Sequence, residues 1–296
     1  MKIAITGANS FIGQHLSKRL MEDEHIELIL VSSHDIEGIG LKTVHLDMEQ
    51  YGYLGDAIGP VDCLVNLAWK GTRGLSRNNR EEQEFSRNCT LAAIQSSLKH
   101  GCRKVVLAGS QAEYGSVAGL ITEEMECNPN TEYGKSKLQL YGDALNLCHE
   151  YNAQCIEPRF FSLYGPGDYQ GTMVISILKK MIQGEDCDLT QGIQMWDFLY
   201  IDDAVSAIHG IICKEIHEGC YNIGNGGYRQ LREFILEMKE VSKSRSKLNF
   251  GAIPYPDTGV VSICPDVSKL KISIGWRPQV NFKDGIGRVL LSLESE

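Results

Sequence analysis

The chain has no C-x-x-C pair and no Cys/His cluster at zinc spacing, although it carries ten cysteines among 296 residues. No metal site is therefore expected. The cysteines, several in apolar runs such as Cys63, Cys155 and Cys220, read as small buried hydrophobes in a reducing cytoplasm. No apolar run approaches the roughly 20 residues needed to cross a bilayer, so no membrane partner is expected. The N-terminus enters a strand directly and has no signal-peptide pattern, which points to the cytoplasm. Positive charge is scarce as well. A net charge of −9 argues against a general nucleic-acid binder, while a local anion site, which needs only a few donors, stays open. There is no internal repeat and no low-complexity segment. What is present is ordinary for a globular protein: 43% hydrophobic and 23% charged residues, in a chain long enough for one large domain or two intimate ones.

Short apolar runs alternate with amphipathic stretches. Strands are expected at Lys2–Thr6, Ile26–Val31, Thr43–Leu46, Asp62–Ala68, Lys104–Ala108 and Gln154–Phe160. Helices are expected at Phe11–Met21, Asn78–Lys99 and Tyr133–Glu150. This alternation implies an α/β fold, a parallel sheet with helices on both faces. Beyond residue 162 glycine and proline punctuate the chain (GPGDYQG, GNGG, IPYPDTG) and the helices shorten. Cys220–Ile223 reads as a strand that returns to the sheet. The expected division is interleaved, with residues 1–162 and 202–225 in one domain and residues 163–201 and 226–296 in a smaller lobe.

The run Thr6-Gly7-Ala8-Asn9-Ser10-Phe11-Ile12-Gly13 is a strand end, a tight turn and a helix start. Gly7 permits the turn, Gly13 lets the helix pack closely, and the helix N-terminus offers N–H groups to a pyrophosphate. Tyr133 and Lys137 stand one helical turn apart on one face. A phenol beside an ammonium ionises more easily, so the pair can move a proton near neutral pH. Between loop and pair, Gly109-Ser110-Gln111-Ala112-Glu113-Tyr114-Gly115 follows a strand.

These segments together resemble the extended short-chain dehydrogenase/reductase family of NAD(P)-dependent nucleotide-sugar epimerases, dehydratases and reductases. Its T-G-x-x-G-F-I-G pattern is TGANSFIG here, with Ser10 in place of the middle glycine and a less close pyrophosphate approach implied. The resemblance runs on to Cys264–Pro278 and implies a Rossmann-type doubly wound parallel sheet with a smaller, interleaved C-terminal substrate-binding lobe. It also implies a homodimer paired through a four-helix bundle of Asn78–Lys99, Tyr133–Glu150 and their copies.

The resemblance makes Ser110, Tyr133 and Lys137 the catalytic set. Ser110 would bond the reacting oxygen, Tyr133 would act as acid or base, and Lys137 would hold the nicotinamide ribose and favour tyrosinate. Cofactor contacts would come from Gly7, Asn9, Ser10, Phe11, Ile12, Gly13, Ser32, Ser33, His34, Asp47, Met48, Leu67, Ala68, Trp69, Tyr133, Lys137 and Phe160. NAD-selective members place an acidic residue after the second strand. Here Ser32-Ser33-His34 stand there, which favours NADP(H) over NAD(H). Substrate contacts would come from Ser110, Gln111, Phe161, Ser162 and Trp196. Ser162 replaces the family's asparagine in R-x-F-N-x-Y-G-P, and Trp196 replaces its phosphate-binding arginine in R-D-F. A third basic position near Tyr255-Pro256-Asp257 is also absent. Lys70, Arg73, Arg77, Arg80, Lys179 and Lys180 are the cations left for a diphosphate, although most read as solvated surface.

The family's dehydratases carry Asp-Glu directly after the catalytic hydroxyl. Gln111 and Ala112 stand there, and Glu113 falls one step late, on the other side of an extended segment. The expected reaction is NADPH-dependent reduction of the C4 ketone of a nucleotide-diphospho-4-keto-6-deoxyhexose. An NAD-dependent nucleotide-sugar 4-epimerase is the alternative. A non-catalytic NADP(H)-binding sensor is the least expected, because such proteins usually lack the Tyr/Lys pair.

Overall fold

Strands buried on both faces should be apolar at their centres, and the first strand is. Ile3 and Ile5 point into one core, Ala4 into the other, and all three are fully buried. The computed structural model describes residues 1–36, 43–255 and 260–295. In chain order the first half contains β1 (Lys2–Thr6), α1 (Phe11–Met21), β2 (Glu27–Ser32), β3 (Thr43–His45), α2 (Leu54–Ile58), β4 (Cys63–Asn66), α3 (Arg80–Lys99), β5 (Lys104–Leu107), β6 (Gly109–Ser110), α4 (Glu132–Glu150) and β7 (Gln154–Phe160). The second half adds β8 (Leu163–Tyr164), α5 (Met173–Gln183), β9 (Cys187–Leu189), β10 (Met195–Trp196), β11 (Leu199–Tyr200), α6 (Ile201–Cys213), β12 (Gly219–Ile223), β13 (Arg229–Gln230), α7 (Leu231–Ser242), β14 (Leu248–Phe250), α8 (Ser268–Ile274) and α9 (Phe282–Leu293).

Eight strands form the main sheet in the order β3-β2-β1-β4-β5-β7-β12, with β6 beside β7. Every pairing in it is parallel. The returning strand expected at Cys220–Ile223 is β12, which runs beside β7 from Gly219 opposite Ile156 to Ile223 opposite Phe160. Helices α1 and α6 pack together on one face, and α2, α3 and α4 cover the other. Among the described residues, three two-stranded sheets, β8–β11, β9–β14 and β10–β13, lie outside the main sheet. No described helix is long and apolar enough to cross a membrane.

Helix starts differ slightly from expectation because polar caps set them. Helix α3 begins at Arg80, since Asn79 Oδ1 accepts the Glu82 N–H at 3.3 Å. Helix α4 begins at Glu132, one residue early, because Thr131 Oγ1 accepts the Gly134 N–H at 3.1 Å. The cysteine expectation holds for Cys63 and Cys155, which are buried, but not for Cys220. Cys220 is half-buried and its thiol donates to Glu157 Oε2 at 3.3 Å, so it is a polar partner and not a small hydrophobe.

The sheet order reverses between β1 and β4, which opens a crevice at their C-terminal ends. Two glycines make that crevice possible. Gly7 has φ +67°, and a Cβ there would stand 2.6 Å from the Ala68 nitrogen. A Cβ on Gly13 would stand 2.3 Å from the Gly7 carbonyl oxygen. Gly13→Ala is expected to destabilise the fold by about 1–3 kcal/mol, read as a lower midpoint in urea unfolding. An unchanged midpoint would show that the turn can yield.

Candidate active site

The cleft above the crevice has a volume of about 820 Å³. At its floor, Ser10 replaces the family's middle glycine and caps α1, its Oγ accepting the Gly13 N–H at 3.1 Å. Phe11 and Ile12 follow at the helix N-terminus and line the cleft with Ser10. A close-approach turn ending in helix amides is a fitting cradle for a pyrophosphate. Leu67 and Trp69, after β4, form the adjacent wall. Gln83, buried in α3, fixes that wall: its Oε1 accepts the Trp69 indole N–H at 2.7 Å, and its Nε2 donates to the Gly71 and Ser76 carbonyls.

Ser110, Tyr133 and Lys137 converge at the opposite wall. The convergence depends on Gly134, whose Cβ would stand 2.3 Å from the Ala112 carbonyl oxygen. Helix α4 therefore docks directly on the turn after Ser110, which brings the Ser110 hydroxyl close to the Tyr133 phenol. Burial raises the phenol's pKa, opposed by Ser110 and by the charge of Arg77. This corrects the expectation of an easily ionised tyrosine. Lys137 Nζ donates to the Ala108 carbonyl at 2.8 Å and lies 3.8 Å from the Trp69 ring centroid, but 5.9 Å from that of Tyr133. The cation nearer the phenol ring is Arg77, at 4.5 Å. Burial also lowers the pKa of Lys137, to about 8.

Glu113 requires a second correction. The segment after Ser110 is not extended: Gln111–Glu113 form a single 3₁₀ turn that carries Glu113 into the interior. There it is fully buried, and its Oε1 accepts the Ser110 N–H at 2.6 Å. Gln111, at the start of this turn, is half-buried and does not line the cleft.

Phe160, Phe161 and Ser162, at the end of β7, and Trp196, on β10, also line the cleft. Asp197, the residue after Trp196, is buried, and its Oδ2 accepts the Asn225 N–H at 2.7 Å. Burial pushes the Asp197 carboxyl up to about 6. Ser32, Ser33 and His34 lie at the end of β2, and Asp47 and Met48 open a 3₁₀ turn beyond β3; none of them lines the cleft. Gly7, Asn9, Gly13 and Ala68 support its floor without lining it.

Among the candidate cations, only Arg73 enters the cleft lining. It stacks 4.4 Å above the Tyr169 ring and lies 3.7 Å from Asp168 Oδ1. Lys70 pairs with Glu49 and Arg80 with Glu84, while Lys179 and Lys180 on α5 stay outside. Pro256 and Asp257 lie outside the described residues. Sequence reasoning missed Gln83, Asp168, Tyr169 and Thr172. Only Asp168 left a signal, as the acidic residue in Gly165-Pro166-Gly167-Asp168.

A doubly wound parallel sheet with a glycine turn at its switch point defines a Rossmann-fold protein. More narrowly, the chain belongs to the NAD dependent epimerase/dehydratase family, whose sequence model matches residues 3–224. It is 26% identical over 294 residues to CDP-abequose synthase of Salmonella muenchen, covering 98% of this chain and 97% of that protein. It is 30% identical over 205 residues to dTDP-4-dehydro-6-deoxyglucose reductase of Escherichia coli, covering 66% of this chain and 63% of that one. The structure of Thermus thermophilus UDP-glucose 4-epimerase in complex with NAD has a TM-score of 0.87 at 20% identity, with 99% of each chain covered; that likeness speaks for the fold.

The buried amine gives a pH signature. Between about 8 and the ordinary 10.5, the unfolded chain holds a Lys137 proton that the folded chain has released. The stability this residue contributes therefore rises with pH across that window. The difference in urea-unfolding free energy between native chain and Lys137→Met is expected to grow from about pH 8 to about pH 10. A flat difference would contradict the lowered value.

Proposed function

We propose that the protein reduces the C4 ketone of a nucleotide-diphospho-4-keto-6-deoxyhexose, with NADP(H) preferred as cofactor. The observation that carries this reading is the make-up of the reacting wall. Ser110, Tyr133 and Lys137 meet there with no free carboxylate beside them. Asp168 is the only carboxylate among the described residues lining the cleft, and it is engaged by Arg73, Thr172 and the Tyr169 N–H. A dehydratase needs an additional acid/base pair; a ketoreductase does not.

The nicotinamide, when bound, supplies hydride to C4. Ser110 orients the ketone oxygen, and Tyr133 gives that oxygen its proton. The phenol's raised pKa suits this direction, because a reductase starts from protonated tyrosine. Lys137, beside the cofactor's expected ribose position, balances the tyrosinate that results. Arg73 is the cation available to the substrate's diphosphate. Trp196 offers a buried indole N–H that has no acceptor of its own. The NADP(H) preference rests on Ser32-Ser33-His34, where no carboxylate would repel a 2′-phosphate. The nearest one, Asp35, is paired with His45 Nε2 at 3.3 Å.

The decisive experiment is cofactor oxidation with dTDP-, CDP-, GDP- and UDP-linked 4-keto-6-deoxyhexoses, comparing NADPH with NADH. Tyr133→Phe is expected to lower turnover by about 10²–10⁴ with cofactor affinity retained. Full activity in that variant, or a tightly retained NAD with interconversion of C4 epimers, would overturn the assignment. We further propose that two copies pair through α3 and α4, across the shallow groove lined by Leu91, Ala92 and Leu147. Leu147→Glu is expected to shift the sedimentation coefficient from dimer to monomer.

A further inference from the structure

Behind Ser110, on the side away from the cleft, lies a cluster of charges with almost no access to water. Glu113, Glu157 and Arg159 are 0%, 1% and 3% exposed. Arg159 Nε lies 3.0 Å from Glu113 Oε2 and donates a hydrogen bond to Glu157 Oε2 at 2.8 Å. One guanidinium N–H thus faces two carboxylates and satisfies one of them. Arg159 Nη1 is turned to Cys127 Sγ at 3.3 Å. Glu113 Oε2 and Glu157 Oε1 are left buried with no donor. Orphaned carboxylate oxygens are costly in a dry interior. Both carboxyls lie within 3.0 Å of the same Arg159 Nε and are therefore close neighbours, so one proton between them supplies the missing donor.

We propose that Glu113 and Glu157 share a single proton, and that this carboxyl pair, clasped by Arg159, is the positioning element that holds Ser110 against Tyr133. The link to Ser110 is direct. The unshared oxygen of Glu113 accepts the Ser110 N–H and so closes a capping box on Ser110, whose Oγ also accepts the Ala112 N–H at 3.2 Å. The packing leaves no slack: a Cβ on Gly109 would stand 2.7 Å from Glu157 Cγ and 2.9 Å from Arg159 Cγ.

The groups facing the pair come from every neighbouring element. Lys137 and Tyr141 face it from α4, Arg159 from β7, Cys220 from β12, and Tyr114 and Cys127 from the loops. Burial and mutual repulsion raise the carboxyl of Glu113, and burial raises that of Glu157. With one proton shared, the pair carries a single negative charge against Arg159, and replacing either carboxyl by its amide leaves that balance intact.

The positioning role rests on the catalytic reading of Ser110 and Tyr133; the shared proton does not. Infrared spectra of the full chain, with glutamate carboxyls isotopically labelled, test the proton directly. A protonated-carboxyl band is expected at neutral pH and should vanish in both Glu113→Gln and Glu157→Gln. Its absence from the native chain, or its persistence in both variants, would overturn the proposal. In the cofactor-oxidation assay, Glu113→Gln keeps an acceptor for Ser110 and should retain the native pH profile. Glu113→Ala should lose about tenfold or more in kcat with KM for the cofactor unchanged. Equal losses in Gln and Ala variants would overturn the positioning role. Loss of activity in Tyr133→Phe is independent of the band, so the two readings can fail separately.

Discussion

The approach of α4 to the turn after Ser110 is the constraint on which the site depends. A helix can come this close to a carbonyl only where it presents no side chain, and Gly134 supplies that place between Tyr133 and Lys137. Thr131 caps the helix start and sets its phase, so the tyrosine lies in the first turn, facing Ser110. Lys137 then comes one turn deeper, over the Ala108 carbonyl at the end of the neighbouring strand. A helix shifted outward by one methyl would separate all three groups together. The same device recurs at the crevice, where Gly7 and Gly13 bring α1 onto the end of β1.

Much of this was legible in the sequence, for local reasons. Buried parallel strands are short and apolar at their centres, so β1 and β5 stand out. The glycine turn is contiguous, and Tyr133 and Lys137 report their shared face through spacing alone. What escaped was set by contacts between distant segments. Arg77 reads as a loop cation, yet its guanidinium covers the Tyr133 ring, 56 positions on in the chain. Gln83 reads as an ordinary polar residue of an exposed helix, yet it is fully buried and pins Trp69. Glu113 reads as part of an extended run, because a single 3₁₀ turn has no periodicity to detect. Its inward direction follows from Arg159, which belongs to another strand.

Arg159 also shows how the interior tolerates charge. A buried guanidinium is stable only with anions close by and its donors well used. Here it has two carboxyls, the Cys127 sulfur at 3.3 Å and the face of Tyr114 at 4.8 Å. Such an arrangement does little for net stability, because desolvation offsets most of the attraction. Its effect is directional: the strand ends at Gly109 and Phe160 are tied in register by groups that cannot slide without exposing a charge to an apolar core.

The half-buried Cys220 has a consequence for how its sulfur meets oxidants. Its proton is held toward the Glu157 carboxyl, and burial beside that carboxyl pushes its pKa well above the ordinary value. Even Cys213, the exposed thiol, is shifted upward. Disulfide exchange and peroxide oxidation proceed through the thiolate, which these environments keep rare. Where burial raises a thiol's pKa in this way, the thiolate that oxidants attack is kept scarce, so reactivity follows where a sulfur sits and not how many there are.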